Sequence, residues 1–79
     1  DADLAARTTR ACLELADELG CRSLALPAFG TGVGGLRLTE CARVMVDVVR
    51  AYEPRSLERV VLAVFGADAY SAFSSALGR

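Results

Sequence analysis

The segment Gly30 to Leu36 reads GTGVGGL and sets four glycines, Gly30, Gly32, Gly34 and Gly35, within six residues. It follows an apolar run, Ser23 to Phe29 (SLALPAF), and precedes an amphipathic stretch that opens near Thr39. Glycine at such a junction serves two ends. It adopts positive φ at no steric cost, and its missing Cβ lets a bulky anion approach the main chain. Successive amides turned into one concavity then bind phosphate without any charged side chain. A purely structural turn is the rival reading, but a simple reversal of the chain needs one or two glycines, so four favour a cradle for a diphosphate. In open α/β sheets, ligands also gather beyond the carboxyl ends of the strands.

Gly30, Gly32 and Gly35 also satisfy GxGxxG, the dinucleotide pattern. In that pattern the helix begins inside the motif, and an acidic residue closes the next strand about 20 residues on. Here the helical periodicity starts only at Thr39 and the next apolar run ends in Val64 and Phe65. A nicotinamide-binding half is therefore disfavoured. Other chemistry is sparse. The chain has no His, and all nine basic residues are Arg. Thr31 is the nearest candidate nucleophile, with no base to activate it. Cys12, Cys21 and Cys41 form an odd set without CxxC spacing, so reduced thiols in packing roles are expected and no metal site is.

The composition bounds the rest. Seventy-nine residues allow one domain at most, and 53% hydrophobic with 24% charged residues describes a globular chain. A net charge of −1 gives no global attraction for nucleic acid or an anionic membrane. The longest apolar stretch, Leu24 to Phe29, is far below the ~20 residues of a membrane helix. A soluble, cytoplasmic protein is expected.

The elements that must position the glycine run follow from periodicity. Leu4, Thr8, Ala11, Cys12, Leu15, Ala16 and Leu19 recur at three and four and predict a helix with that stripe inward, capped by Asp1 or Asp3 and ended by Gly20. Ser23–Phe29 and Arg59–Phe65 (RVVLAVF) read as strands covered on both faces. Between them Cys41, Val44, Met45, Val48, Val49 and Tyr52 mark a second helix, capped by Thr39 and ended before Pro54. Asp68 is expected to cap a third, with Ala69, Tyr70, Phe73, Ala76 and Leu77 inward and Gly78 at its end. A strand-helix-strand crossover makes the strands parallel. Two parallel strands alone leave open edges and bare faces, so the chain is expected to be a piece of a larger domain, aggregation-prone when isolated.

The run LALPAFGTGVGGL, the amphipathic helix after it, RVVLAVF and the short DAYSAF helix together resemble the C-terminal half of a macro domain. The resemblance covers Asp3 to Leu77, essentially the whole of residues 1–79. It implies an α/β chain that is part of a three-layer α/β/α fold, helix-strand-helix-strand-helix with parallel strands. It also implies a ligand, ADP-ribose or an ADP-ribosyl group, and no cofactor. Carried over by residue, the backbone of Gly30, Thr31, Gly32, Val33 and Gly34 would wrap the diphosphate and distal ribose, and Phe65 would lie against the adenine. An aromatic at a strand's carboxyl end suits a flat base; core packing is the other reading of Phe65. Two positions depart from the family's pattern: Gly34 stands where many members have Tyr or Phe, and Arg37 where Pro is common.

Three functions compete on this reading. The first is a nucleotide-binding module, with hydrolysis of ADP-ribosyl groups or ADP-ribose esters if catalytic groups come from the absent N-terminal half of the domain. Its partners are then ADP-ribose or an ADP-ribosylated substrate and that N-terminal half, with no membrane, and nucleic acid only as an ADP-ribosylated substrate. The second is a non-catalytic assembly element whose strand edges pair with another chain. The third is a fragment of a dinucleotide-binding oxidoreductase.

Overall fold

The structure, a computed structural model, describes residues 1–29 and 36–78. Helix α1 (Ala2–Glu18) begins where the Asp1 carboxylate accepts the Leu4 amide at 2.8 Å, which satisfies one of the free donors of its first turn. It ends at Leu19. Gly20 then takes φ +75°, and its amide reaches the Asp17 carbonyl at 3.0 Å while the Cys21 amide reaches Ala16 at 2.9 Å. This paired closure is the Schellman geometry, which needs the left-handed residue that Gly20 supplies.

The buried face of α1 is turned from the expected one: Ala16 is buried as expected and Thr8 and Cys12 are half-buried. Ala5, Thr9, Leu13, Ala16 and Asp17 face inward, whereas Leu4, Leu15 and Leu19 are 54%, 55% and 71% exposed. Small and apolar residues run round more than half of this helix, so two overlapping stripes satisfy the same period. The packing against α2 selects the Ala5–Leu13 side.

Strands β1 (Ser23–Leu26) and β2 (Arg59–Leu62) pair in parallel, in register Ser23↔Arg59 through Leu26↔Leu62. Both are shorter than their apolar runs. Pro27 has no amide to donate, so the ladder stops at Leu26. Leu24, Leu26, Val60 and Leu62 form one face, which packs on Ala5 of α1, Cys41, Met45 and Val46 of α2 (Leu38–Ala51) and Phe73 and Ala76 of α3 (Ala67–Leu77). On the opposite face Ser23, Ala25, Arg59 and Val61 are exposed. Among the described residues the expected burial on both faces is thus met on one only: α1, α2 and α3 all contribute to the same side.

Helix α2 lies between the other two and packs on both. Its N-cap is Arg37, in extended conformation and with no side-chain cap, so Thr39 stands inside the first turn instead of capping it. Cys41, Ala42, Met45 and Val46 are buried, and Val44, Val48, Val49 and Tyr52 are half-buried. In α3 the cap is Gly66 at φ +90°, not Asp68, which falls in the first turn. Ala69, Phe73 and Ala76 are buried there as expected, but Tyr70 and Leu77 are 70% and 53% exposed because they sit on the flank of that stripe. Arg50 of α2 donates to the Leu77 carbonyl, a cation at the negative end of α3.

A buried carboxylate joins the lead-in of β2 to α1. Asp17 accepts the Tyr52 hydroxyl, the amides of Arg55, Ser56 and Leu57, and the Ser56 hydroxyl. Leu57 beneath it packs on Leu13 and Ala16. Among the described residues no helix is long and apolar enough to cross a membrane.

Candidate functional site

Because β1 and β2 are parallel, their carboxyl ends open on the same side of the sheet. From β1 the chain leaves through Pro27, Ala28 and Phe29, and it re-enters at Leu36, which is buried, and Arg37, which is exposed. The expected diphosphate residues Gly30, Thr31, Gly32, Val33 and Gly34 lie outside the described residues. Both flanks lie beside the first turn of α2, whose first intrahelical bond is the one from the Cys41 amide to Arg37. The Cys41 thiol donates to the Phe29 carbonyl at 2.9 Å, and the Cys41 amide donates to the Arg37 carbonyl at 2.8 Å.

Phe65 stands three residues beyond β2, immediately before the positive-φ Gly66, and is 94% exposed. It therefore takes no part in the core of the described residues, and a flat apolar face is presented at the carboxyl end of the second strand. Phe29, by contrast, is half-buried and packs against the main core cluster.

Between the first turns of α2 and α3 runs an open groove of about 870 Å³, lined in part by Arg37, Thr39, Glu40, Arg43, Asp68 and Ser71. Its charges are mixed, two guanidinium groups against two carboxylates. Among the described residues no group of three His, Cys, Asp or Glu side chains comes together to hold a metal ion. Burial pushes the Cys41 thiol up from its ordinary value, against a smaller opposing effect of its bond to Phe29, so this sulfur is a protonated donor and not a thiolate.

The family model of the Macro domain matches residues 1–45 of the chain. The chain belongs to the macro domain family. An uncharacterized protein of Mycobacterium tuberculosis is 62% identical over 69 residues, which are 87% of this chain and 19% of that protein. A macro domain-containing protein of Streptomyces nogalater is 41% identical over 76 residues, 96% of this chain and 41% of its own. Among solved structures, a mutant macrodomain of Oceanobacillus iheyensis with ADPR matches 98% of this chain and 42% of its own at a TM-score of 0.88 and 25% identity. The chain thus spans less than half the length of these relatives, and its α/β architecture is that of one part of the macro domain fold.

Two features of this region escaped the sequence reading. The thiol contact of Cys41 was hidden because a cysteine on a buried helical stripe reads as a small apolar residue. Asp17 carries no motif signal of its own; the pointer to it is only that it follows Ala16 directly and lies four residues after Leu13.

Proposed function

We propose that this chain is the C-terminal part of a macro domain that binds ADP-ribose or an ADP-ribosyl group. The main chain of Gly30, Thr31, Gly32, Val33 and Gly34 holds the diphosphate, and Phe65 stacks on the adenine. The observation that carries this reading is the match of nearly the whole chain to a macrodomain crystallised with ADPR. The exposure of Phe65 at the carboxyl end of β2 supports it further, since an unburied aromatic there has a base-sized face to offer. So does the parallel pairing of β1 and β2, whose carboxyl ends, followed in sequence by the glycine run and by Phe65, lie at the same end of the sheet.

Hydrolysis of ADP-ribosyl groups or ADP-ribose esters, where it occurs, draws its acid and base from the N-terminal half of the domain. That half is also the first partner of this chain: the free edges of β1 and β2 and the exposed row Leu4, Leu15 and Leu19 are surfaces for it. Nucleic acid enters only as an ADP-ribosylated substrate.

Calorimetric titration of ADP-ribose into the full-length protein tests the reading. Saturable binding is expected. Absence of binding favours an assembly element whose glycines form only a turn, and preference for intact NAD favours a dinucleotide-binding oxidoreductase.

A further inference from the structure

Between the end of β2 at Leu62 and the start of α3 at Ala67 the chain passes from sheet to helix in four residues. Both ends of this link are held. The Ala63 amide donates to the Leu26 carbonyl at 2.8 Å, and Val64 packs against the main core cluster. On the other side the Gly66 carbonyl accepts the Tyr70 amide at 3.0 Å, the first bond of α3, a helix seated by the buried Ala69 and Phe73. Phe65 lies between these anchors, has no seat in the core cluster and is 94% exposed. Its direction is therefore left to the main chain beside it.

Gly66 stands at φ +90° and ψ 154°. This is close to the mirror image of the extended region, open to glycine and strained for any L-side chain. The restriction lies in the backbone, since an added Cβ would meet nothing within 4 Å. A cap for α3 would be better served by Asp, Asn or Ser, and this helix has no side-chain cap. What glycine supplies here is the conformation.

We propose that Gly66 is a positioning residue for Phe65: its positive φ, with Val64 and α3 fixed on either side, sets the direction in which the unburied ring leaves the carboxyl end of β2. This rests on the reading of Phe65 as the platform for adenine. An L-residue at position 66 leaves that conformation, and because the core holds both anchors, the part displaced is Phe65.

The test is calorimetry with ADP-ribose on the full-length protein as wild type, Gly66→Ala, Phe65→Ala and the double variant. A fifth protein carries D-alanine at position 66, introduced by semisynthesis, for which the same φ and ψ are near-extended and unstrained. Gly66→Ala is expected to weaken ADP-ribose by about tenfold, the order of one base-stacking contact. The double variant should bind as Phe65→Ala does, and the D-alanine protein as the wild type. The proposal is overturned if Gly66→Ala binds as the wild type, if the two losses multiply in the double variant, as a merely structural role requires, or if D-alanine behaves as L-alanine. A wild-type protein that fails to bind ADP-ribose overturns the nucleotide reading instead. The NMR contacts of the Phe65 ring then decide the role of Gly66 by themselves, and identical contacts in wild type and Gly66→Ala overturn it.

Discussion

The carboxylate of Asp17, in the last turn of α1, accepts the hydroxyl of Tyr52 at the end of α2 and, beside it, the Arg55, Ser56 and Leu57 amides at 3.1, 2.7 and 2.8 Å. The Tyr52 bond first, and these amides after it, favour the ionised form and overcome the opposing cost of burial, so the carboxyl is held well below the usual carboxylate range. The same contact raises the Tyr52 phenol. One charge thereby satisfies a whole turn of main chain whose amides would otherwise meet the apolar Leu13–Ala16–Leu57 cluster unpaired.

The sign of the pH effect follows. A carboxyl whose folded value is depressed stabilises the fold fully above its unfolded value of ~4 and loses that contribution as pH falls toward the folded value. Thermal melts of the full-length protein should decline from about pH 4 downward. Asp17→Asn is expected to melt lower at neutral pH, because its NH2 group faces donors, and to show a shallower decline in acid. An unchanged acid profile in the variant would remove Asp17 from the acid sensitivity of the fold.

Gly20 offers a backbone test free of side-chain effects. An added Cβ would meet nothing within 4 Å, so the cost of Gly20→Ala is only that of holding an L-residue at φ +75°. A loss of about 1 kcal/mol in urea unfolding is expected. Gly78→Ala, at the right-handed C-cap with φ −79°, is the comparison and should be nearly neutral. Equal effects at the two positions would mean that the left-handed closure of α1 is not what Gly20 supplies.

The order of the five elements was legible because each keeps one period over its length and because Gly20, Pro54 and Gly78 punctuate it. Their faces were less so. The row Leu4, Thr8, Ala11, Leu15 fits a helical period as well as Ala5, Thr9, Leu13, Ala16 does, and only the seat of α2 separates them. The unbroken apolar runs of both strands predict burial on two sides, whereas the described residues cover only one. For the candidate site, the glycine run and Phe65 stand out in the sequence as residue types that a core does not require; the run lies outside the described residues, and Phe65 is exposed. Cys41 and Asp17 do not stand out, since their roles are hydrogen bonds to main chain distant in sequence, which no periodicity encodes.

Phe65 and Gly32 separate binding from folding. Phe65→Ala removes a side chain that the core does not use, so melting of the full-length protein should be unchanged while ADP-ribose affinity falls by about tenfold or more, as base stacking is worth about 1–3 kcal/mol. On the reading proposed above, Gly32→Val should abolish binding with little loss of fold, because a side chain there would intrude on the proposed phosphate cradle. Unaltered affinity in calorimetry for either variant takes that residue out of the site.

Leu15 carries the last prediction, about what covers α1. It is 55% exposed here, on the row with Leu4 and Leu19, whereas Leu13 two residues earlier is fully buried. A helix surface-bound on one side would alternate this row with charge; instead the charges Asp3, Arg7, Arg10 and Glu14 pair among themselves on a separate strip. The row is therefore suited to a second apolar neighbour, which the N-terminal half of the domain provides on the reading proposed above. Leu15→Lys should lower the stability of the full-length protein in urea by about 2 kcal/mol, the worth of one buried leucine. In the isolated segment the same substitution should reduce self-association seen by light scattering and leave helicity unchanged. A full-length protein indifferent to Leu15→Lys, with Leu13→Ala still costing about 3 kcal/mol as a core cavity does, would mean that this face of α1 meets water.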